Sequence, residues 1–403
     1  MTARFLRIAI VLGLVSAVGP FAIDMYLPAL PSIGSDLSAS SGAVQMTLLA
    51  FFLAVGAGQL LVGPLSDMVG RKAPLYAGLV LFAAGGVGAA LSPTIEWLVA
   101  FRFVQGLGAC AGMVVPRAIV RDLHTGAEAT RLMSLLMLVF SVSPLLAPLT
   151  GSFIIDHFGW RAIFWTVTGA AAVAVVLLAF FQAETRPPEH RLGASVGGAV
   201  VSYWYLLRDG RFLALTFTSG FGISSFFVYL SSSSFVFIDH FGLTPFQYSL
   251  AFSFNAVSFF TMAQLTGMLT ERFGLERVVR VAVTGYMGAM AVLLALTLFG
   301  VDRLDVLMGF LFVGYGFLGL VMPTTAVLAL DDHGPIAGAA SALMGTLQFA
   351  AGVLAMAIVG WFSNGTALPM IAGIAGCALA AFLLAQVALG GRGRAAVEEA
   401  PAE

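Results

Sequence analysis

The sequence predicts an all-α membrane protein with twelve transmembrane helices in two six-helix halves, on three observations. Of its 403 residues, 60% are hydrophobic and 10% charged, against about 25% charged in an ordinary soluble protein. Apolar runs long enough to cross a bilayer, each roughly 17–25 residues, recur from end to end with short polar breaks between most of them. Lys and Arg gather in alternate breaks, as they do on the cytoplasmic side of membrane proteins.

Taken in order, the apolar runs fall near 6–27, 43–64, 74–92, 96–120, 132–155 and 161–183, then near 211–237, 247–270, 278–299, 304–330, 336–362 and 367–389. The first run follows Arg4 and Arg7 and has the outline of a signal peptide. It is read as a retained first span, because many more spans follow and cleavage would remove the segment leading to Asp24. Arg71, Lys72, Arg121, Arg131, Arg186, Arg191, Arg208, Arg272, Arg277, Arg280, Arg392 and Arg394 share one side with the N-terminus, whereas the opposite side shows Arg161 and Arg303. Both termini are therefore expected in the cytoplasm, and the protein is expected as a multi-pass protein of the cytoplasmic (inner) membrane.

The longest polar break begins AETRPPEHRLGASVGG and carries a Pro-Pro pair. It separates an N-terminal half (1–184) from a C-terminal half (211–391), with a linker at 185–210 and a tail at 392–403. QLLVGPLSDMVGRK (59–72) lines up with QLTGMLTERFGLER (264–277) with a one-residue gap, so two six-helix repeats are the simplest account.

Composition excludes several classes of function. The net charge of -1 points to no nucleic-acid partner. Both cysteines, Cys110 and Cys377, fall inside apolar runs, which supports neither a disulfide framework nor a metal site. No phosphate loop and no nucleophile with a neighbouring base is present, so neither an enzyme nor a cofactor is expected.

Asp24, near the far end of span one, is the exception to this pattern. A charge at depth in hydrocarbon costs several kcal/mol and is functional by default. In span four, Arg102 lies about six residues from the outer end, roughly 9 Å at 1.5 Å per residue. Span one runs the other way, so Asp24 and Arg102 reach similar depth and are expected to pair, directly or through water. Gln105, Ala109 and Met113 follow Arg102 at helical spacing, and Gly108 and Gly112 form a small-xxx-small pair that admits a close neighbour. All five histidines fall in breaks, and the search for a proton carrier converges on Asp24.

Span five reads SVSPLLAPLTGSF, with Ser143, Ala147 and Gly151 four apart on one face and Pro144 and Pro148 interrupting the backbone ladder. Spans seven and eight are rich in aromatics, with Phe221, Phe226, Phe227, Tyr229, Phe252, Phe254 and Phe259, and hold one rare amide, Asn255. Such a lining suits hydrophobic or amphipathic molecules. Tyr26, Gln105, Met113, Phe227, Tyr229 and Asn255 are the candidate substrate-binding residues.

The loop Gly63-Pro64-Leu65-Ser66-Asp67-Met68-Val69-Gly70-Arg71-Lys72 resembles the loop signature of the major facilitator superfamily, whose parallel halves bind substrate between them. Gly70 suits a tight turn and the two basic residues suit an anionic membrane face. The resemblance implies that Asp67 latches the halves on the cytoplasmic side. Its positive partner is either the start of span eleven, DDHGPIAGAAS, where Pro335 suits a first helical position, or Arg121. Gly63, Asp67, Gly70, Arg71 and Arg121 make up this set.

Arg-x-x-Gln-Gly at 102–106 resembles the superfamily's span-four motif, which implies proton coupling for Arg102. Ala147, Pro148 and Gly151 resemble the antiporter motif of span five, with Ser143, Ala147 and Ser152 standing where glycines are expected. Together with IDMYLPALP (23–31), GWRAIFW (159–165) and AETRPPE (183–189), these segments are similar to the Bcr/CflA group of drug/proton antiporters. Some multidrug relatives carry a second acid two turns before the aspartate of span one, where this chain has Ser16.

The resemblance implies a monomeric secondary transporter that exports drugs and takes up protons, with a small molecule, protons and the bilayer as its partners. Its alternative is a proton-coupled carrier of an endogenous metabolite, which calls for more amides and charges in the spans. In either case burial opposes ionisation of Asp24 while a nearby Arg102 favours it, leaving a carboxyl able to load and release a proton.

Overall fold

The computed structural model describes residues 3–124, 126–191 and 196–398. Parts of the expected linker and of the expected tail lie outside them. Among the described residues every regular element is helical. In order these are α1 (Ala3–Asp24), α2 (Leu30–Asp36), α3 (Ser41–Val69), α4 (Lys72–Ala90), α5 (Ile95–Leu123), α6 (Gly126–Phe158) and α7 (Arg161–Phe181). They continue with α8 (Val196–Leu206), α9 (Gly210–Ser234), α10 (Pro245–Phe273), α11 (Leu275–Leu298), α12 (Leu304–Asp331), α13 (Ala337–Trp361) and α14 (Leu368–Glu398).

Among the described residues, eleven segments are long and apolar enough to cross a membrane. The remaining expected span, the eighth (near 247–270), corresponds to α10, which has 29 residues but is more polar. Asn255 and Gln264 fall inside it; Ser249, Asn255 and Ser258 are buried, whereas Gln247, Thr261 and Gln264 are exposed.

The first span is broken rather than continuous. α1 stops at Asp24, a 3-10 turn follows at Leu27–Ala29, and α2 then begins, with Pro28 and Pro31 in the first positions of the turn and of α2. Proline fits there because its missing N–H is not needed in a first turn. At the next entry the Ser40 hydroxyl caps α3 by accepting from the Ala43 N–H at 3.3 Å.

The helix α3 runs through the whole of the expected loop as far as Val69, so the turn shrinks to Gly70 and Arg71. Gly70 has φ 100° and ψ 170°, a region open essentially to glycine alone. Gly274, its partner in the sequence repeat, has φ 81° and ψ 147°. The two aligned turns therefore share one backbone conformation.

The chain divides into two compact units, Met1–Val200 with Ser234–Ser253, and Val201–Ser233 with Phe254–Glu403. In the first unit α5 packs along α3 and α4, and α1 packs against α5, α6 and α7. Gly108 allows the α4–α5 contact, since a Cβ there would strike the Gly78 carbonyl and the Phe82 backbone. In the second unit α11 packs on α12 and α14. There Tyr286 donates to the Ser225 hydroxyl at 2.5 Å and Gln348 donates to the Ser219 hydroxyl at 2.8 Å. Large apolar side chains lie exposed at helix ends, among them Trp97 and Phe158 in the first unit and Phe299 and Trp361 in the second, as interfacial aromatics do.

Gly151 of α6 faces the backbone of the α1 terminus, and a Cβ would strike the Met25 carbonyl. Gly151→Val should overpack this contact and cost about 1–3 kcal/mol, seen as a lower unfolding temperature of the purified protein. Gly169→Ala, where the space beside the glycine is open, should leave that temperature unchanged.

Candidate functional site

Asp24 is the last residue of α1 and is 6% exposed. Its Oδ2 accepts a hydrogen bond from the Ser143 hydroxyl of α6 at 2.8 Å, and Ser143 is wholly buried. Ser143 is one of the residues standing where the antiporter motif has glycine. The departure thus supplies the donor that the buried carboxylate needs. Ala147, Pro148 and Gly151 continue the same helix face and are buried.

Arg102 forms no direct ion pair with Asp24, so of the two expected modes of pairing the direct one is not observed. It is 0% exposed, and its Nη1 donates to Gln105 Oε1 at 2.7 Å and to the Ala22 carbonyl at 3.4 Å. The guanidinium carbon lies 4.4 Å from the ring centre of Phe51, 4.6 Å from Tyr26 and 5.8 Å from Phe164. Ring faces attract a desolvated cation at these distances. Equal depth therefore did not bring the charges together: an amide one turn along its own helix and three rings hold Arg102, while Asp24 turns toward α6. Nε and Nη2 of Arg102 and Nε2 of Gln105 have no hydrogen-bond partner.

The candidate substrate-binding residues divide between the units. In the first, Tyr26 is buried and its hydroxyl shares a 2.8 Å hydrogen bond with Thr47, Gln105 is engaged by Arg102, and Met113 is half-buried against Gly19. In the second, Asn255 Nδ2 donates to the Tyr229 hydroxyl at 3.1 Å and lies 3.7 Å from Met308 Sδ. Tyr229 packs on Tyr315 at 5.3 Å between ring centres. Phe226 stacks on Phe259 at 6.1 Å and meets Tyr315 edge-on at 6.0 Å. Phe227 faces elsewhere, against Phe349 and Gly352 of α13. Tyr315 is the residue that sequence reasoning missed, because a tyrosine in an apolar run gives no sign that it will meet two aromatic neighbours. Its hydroxyl and Asn255 Oδ1 are buried without a hydrogen-bond partner.

Residues 249 and 253 meet the proline-interrupted stretch of α6. Ser249 donates to the Pro148 carbonyl at 2.8 Å, and Ser253 to the Leu145 carbonyl at 3.0 Å and the Pro144 carbonyl at 3.5 Å. Pro148 has no N–H to offer the Pro144 carbonyl. The serine hydroxyl reaches the acceptor that the proline leaves open.

At the basic end of the first unit, Asp67 pairs with Arg71 at 2.8 Å and with Arg186 at 3.3 Å. Within this unit Arg121 is not its partner. It points outward and is exposed, while the next residue, Asp122, accepts from Arg71 Nε at 2.7 Å and Nη2 at 3.2 Å. Gly63 lies in open space within α3.

Glu184, just beyond α7, takes four backbone N–H groups, from Arg71 (2.8 Å), Lys72 (3.1 Å), Thr185 (2.9 Å) and Arg186 (3.0 Å). It caps the start of α4 from a distant part of the chain. Partial burial raises its carboxyl, but these amides outweigh that and hold it below the ordinary carboxylate range.

Comparison with known proteins decides the family. Residues 12–356 match the family model described as Major Facilitator Superfamily. The chain belongs to that superfamily. It is 38% identical over 367 residues, 91% of each chain, to the "Uncharacterized MFS-type transporter YdgK" of Bacillus subtilis strain 168. It is 29% identical over 374 residues to the "Bicyclomycin resistance protein homolog" of Haemophilus influenzae, covering 92% of this chain and 93% of that one. It is also 29% identical over 362 residues to "Multidrug resistance protein D" of Escherichia coli K12, covering 87% and 88%. These relatives bear out the resemblance to the Bcr/CflA group. Among solved structures, a D-xylose–proton symporter superposes with a TM-score of 0.75 at 18% identity, over 95% of this chain and 97% of that one, which establishes a common fold. The protein is a multi-pass membrane transporter of the superfamily.

The Glu184 cap generates a pH prediction. A carboxyl held low in the folded protein stabilises it above the ordinary carboxylate range, and that contribution disappears as pH falls through its lowered value. Glu184→Gln should lower stability by about 1 kcal/mol at neutral pH, and the difference from the parent should vanish in acid. Thermal unfolding at a series of pH values measures it.

Proposed function

We propose that the protein exports hydrophobic or amphipathic drugs across the cytoplasmic membrane in exchange for protons, with Asp24 as the proton carrier. The observation that carries this reading is that Asp24 is buried on the span-one turn with one hydroxyl donor and, among the described residues, no cationic partner. A carboxylate locked to Arg102 would have to break an ion pair before it could be protonated. This one has to change a single hydrogen bond.

The steps follow from general electrostatics. A carboxyl in a dry site favours its neutral form, and hydration restores the charged form. Opening the site to each side in turn is then enough to load a proton from outside and release it within. One elementary charge moving inward gains about 2.3 kcal/mol per 100 mV, which biases export when substrate and proton exclude each other. In this scheme Arg102 supplies a fixed positive field in the same unit, and Asp67 acts as the conformational latch of the cytoplasmic side. The aromatic cluster around Tyr229, Tyr315 and Asn255 offers apolar faces with two unengaged polar atoms, a lining suited to planar amphipathic molecules. Relatives named for bicyclomycin and multidrug resistance support the substrate class. The expected orientation, with both termini in the cytoplasm, and the two six-helix halves with their linker belong to the same proposal.

Buried amides favour a second reading. Gln45, Gln105, Asn255 and Gln348 are all buried, and amides of this kind suit a hydroxylated metabolite. Proton-coupled uptake of sugars or nucleosides that drugs do not inhibit would favour it over drug export.

Asp24→Asn should insert and fold normally yet lose drug export driven by a pH gradient in inverted vesicles. Proton-driven export retained in that variant would end the proposal. Ser143→Ala should displace the pH profile of transport, whereas Ser143→Thr, which keeps the hydroxyl, should preserve it.

A further inference from the structure

The ends of α1 and α7 that lie beside the basic loops enclose a groove that the transport scheme does not use. Leu6, Arg7, Ile10 and Val11 of α1 and Leu177 and Phe181 of α7 line a space of ≈ 280 Å³. Leu6, Ile10 and Phe181 are 50%, 56% and 45% exposed, so the groove opens on the outer surface of a membrane-spanning protein. Arg7 is exposed as well, and its guanidinium carbon lies 6.0 Å from the centre of the Phe181 ring. Among the described residues no acidic group forms an ion pair with Arg7. The groove is therefore headed by one uncompensated cation and an aromatic ring. Below them, Ile10, Val11 and Leu177 lie about one helical turn, roughly 5 Å, deeper.

We propose that this groove is a binding site for one anionic phospholipid, with Arg7 on the phosphate and the upper acyl chain along Leu6, Ile10, Val11 and Leu177. The arrangement is graded as a phospholipid is graded, charge at the head and hydrocarbon beneath. An arginine reaches toward the membrane surface while its stem covers apolar side chains, and its planar fork matches phosphate oxygens in pairs. The Phe181 ring keeps the guanidinium over the groove. A neutral lipid offers the same chains but no net negative charge, so the site selects by headgroup. The occupant would join the end of α1, whose other end carries Asp24, to α7.

The test uses the full-length Phe181→Trp protein in phosphatidylcholine vesicles, with the unsubstituted protein as the control for its native tryptophans. A minor fraction of brominated phosphatidylglycerol or of brominated phosphatidylcholine is added, and quenching of the new tryptophan reports which lipid occupies the groove. A basic residue near the surface contributes about 1 kcal/mol toward an anionic lipid, so the expected preference for phosphatidylglycerol is about five-fold. Arg7→Gln in the same background should bring the preference to about one, and Arg7→Lys should retain most of it. Equal quenching by the two lipids with Arg7 intact, no quenching by either, or an undiminished preference in Arg7→Gln would overturn the proposal.

Discussion

The arrangement of the first unit depends on how a guanidinium is accommodated away from water without a carboxylate. Burying an ion costs several kcal/mol even after relaxation, and the usual remedy is an opposite charge. Arg102 instead has Gln105, the Ala22 carbonyl and the faces of Phe51, Tyr26 and Phe164. Because these groups hold the cation, the buried acid of the facing helix, Asp24, is left to Ser143.

The span-five helix gains its second role from its prolines. Two interruptions in one helix leave backbone acceptors that no N–H of the helix can reach. Asp24 and Met25 sit against Ser143 and Gly151 on this helix, and Ser249 and Ser253 donate to its carbonyls. One irregular helix thus meets the acid-bearing turn of span one and the first turns of α10. Movement of α6 would be felt at both.

The basic end is organised differently, by charge in a wetter setting. Arg71 is 4% exposed and reaches Asp67, Asp122 and Ser66. Glu184 and Arg186 come from beyond α7 to close the same turn. The segment just beyond α7 is therefore fastened to the turn that follows Asp67. Any exchange of partners by Asp67 has to release Arg186.

The sequence by itself determined the membrane class and the family. These follow from properties that survive averaging along the chain: apolar runs matched to bilayer thickness, basic breaks, and a glycine whose backbone conformation, φ 100° at Gly70, few other residues adopt. It also singled out Asp24, because one acid in a hydrocarbon-length run stands out without any knowledge of its neighbours. Partner choice was not legible. Arg102 against Asp24 and Arg121 against Asp67 were reasonable on depth and charge. Which way a side chain leaves its helix, and which ring or amide already occupies the space, depend on packing between segments far apart in sequence. Ser143, Glu184 and Tyr315 acquired their contacts only through that packing, and so only the tertiary structure decided them.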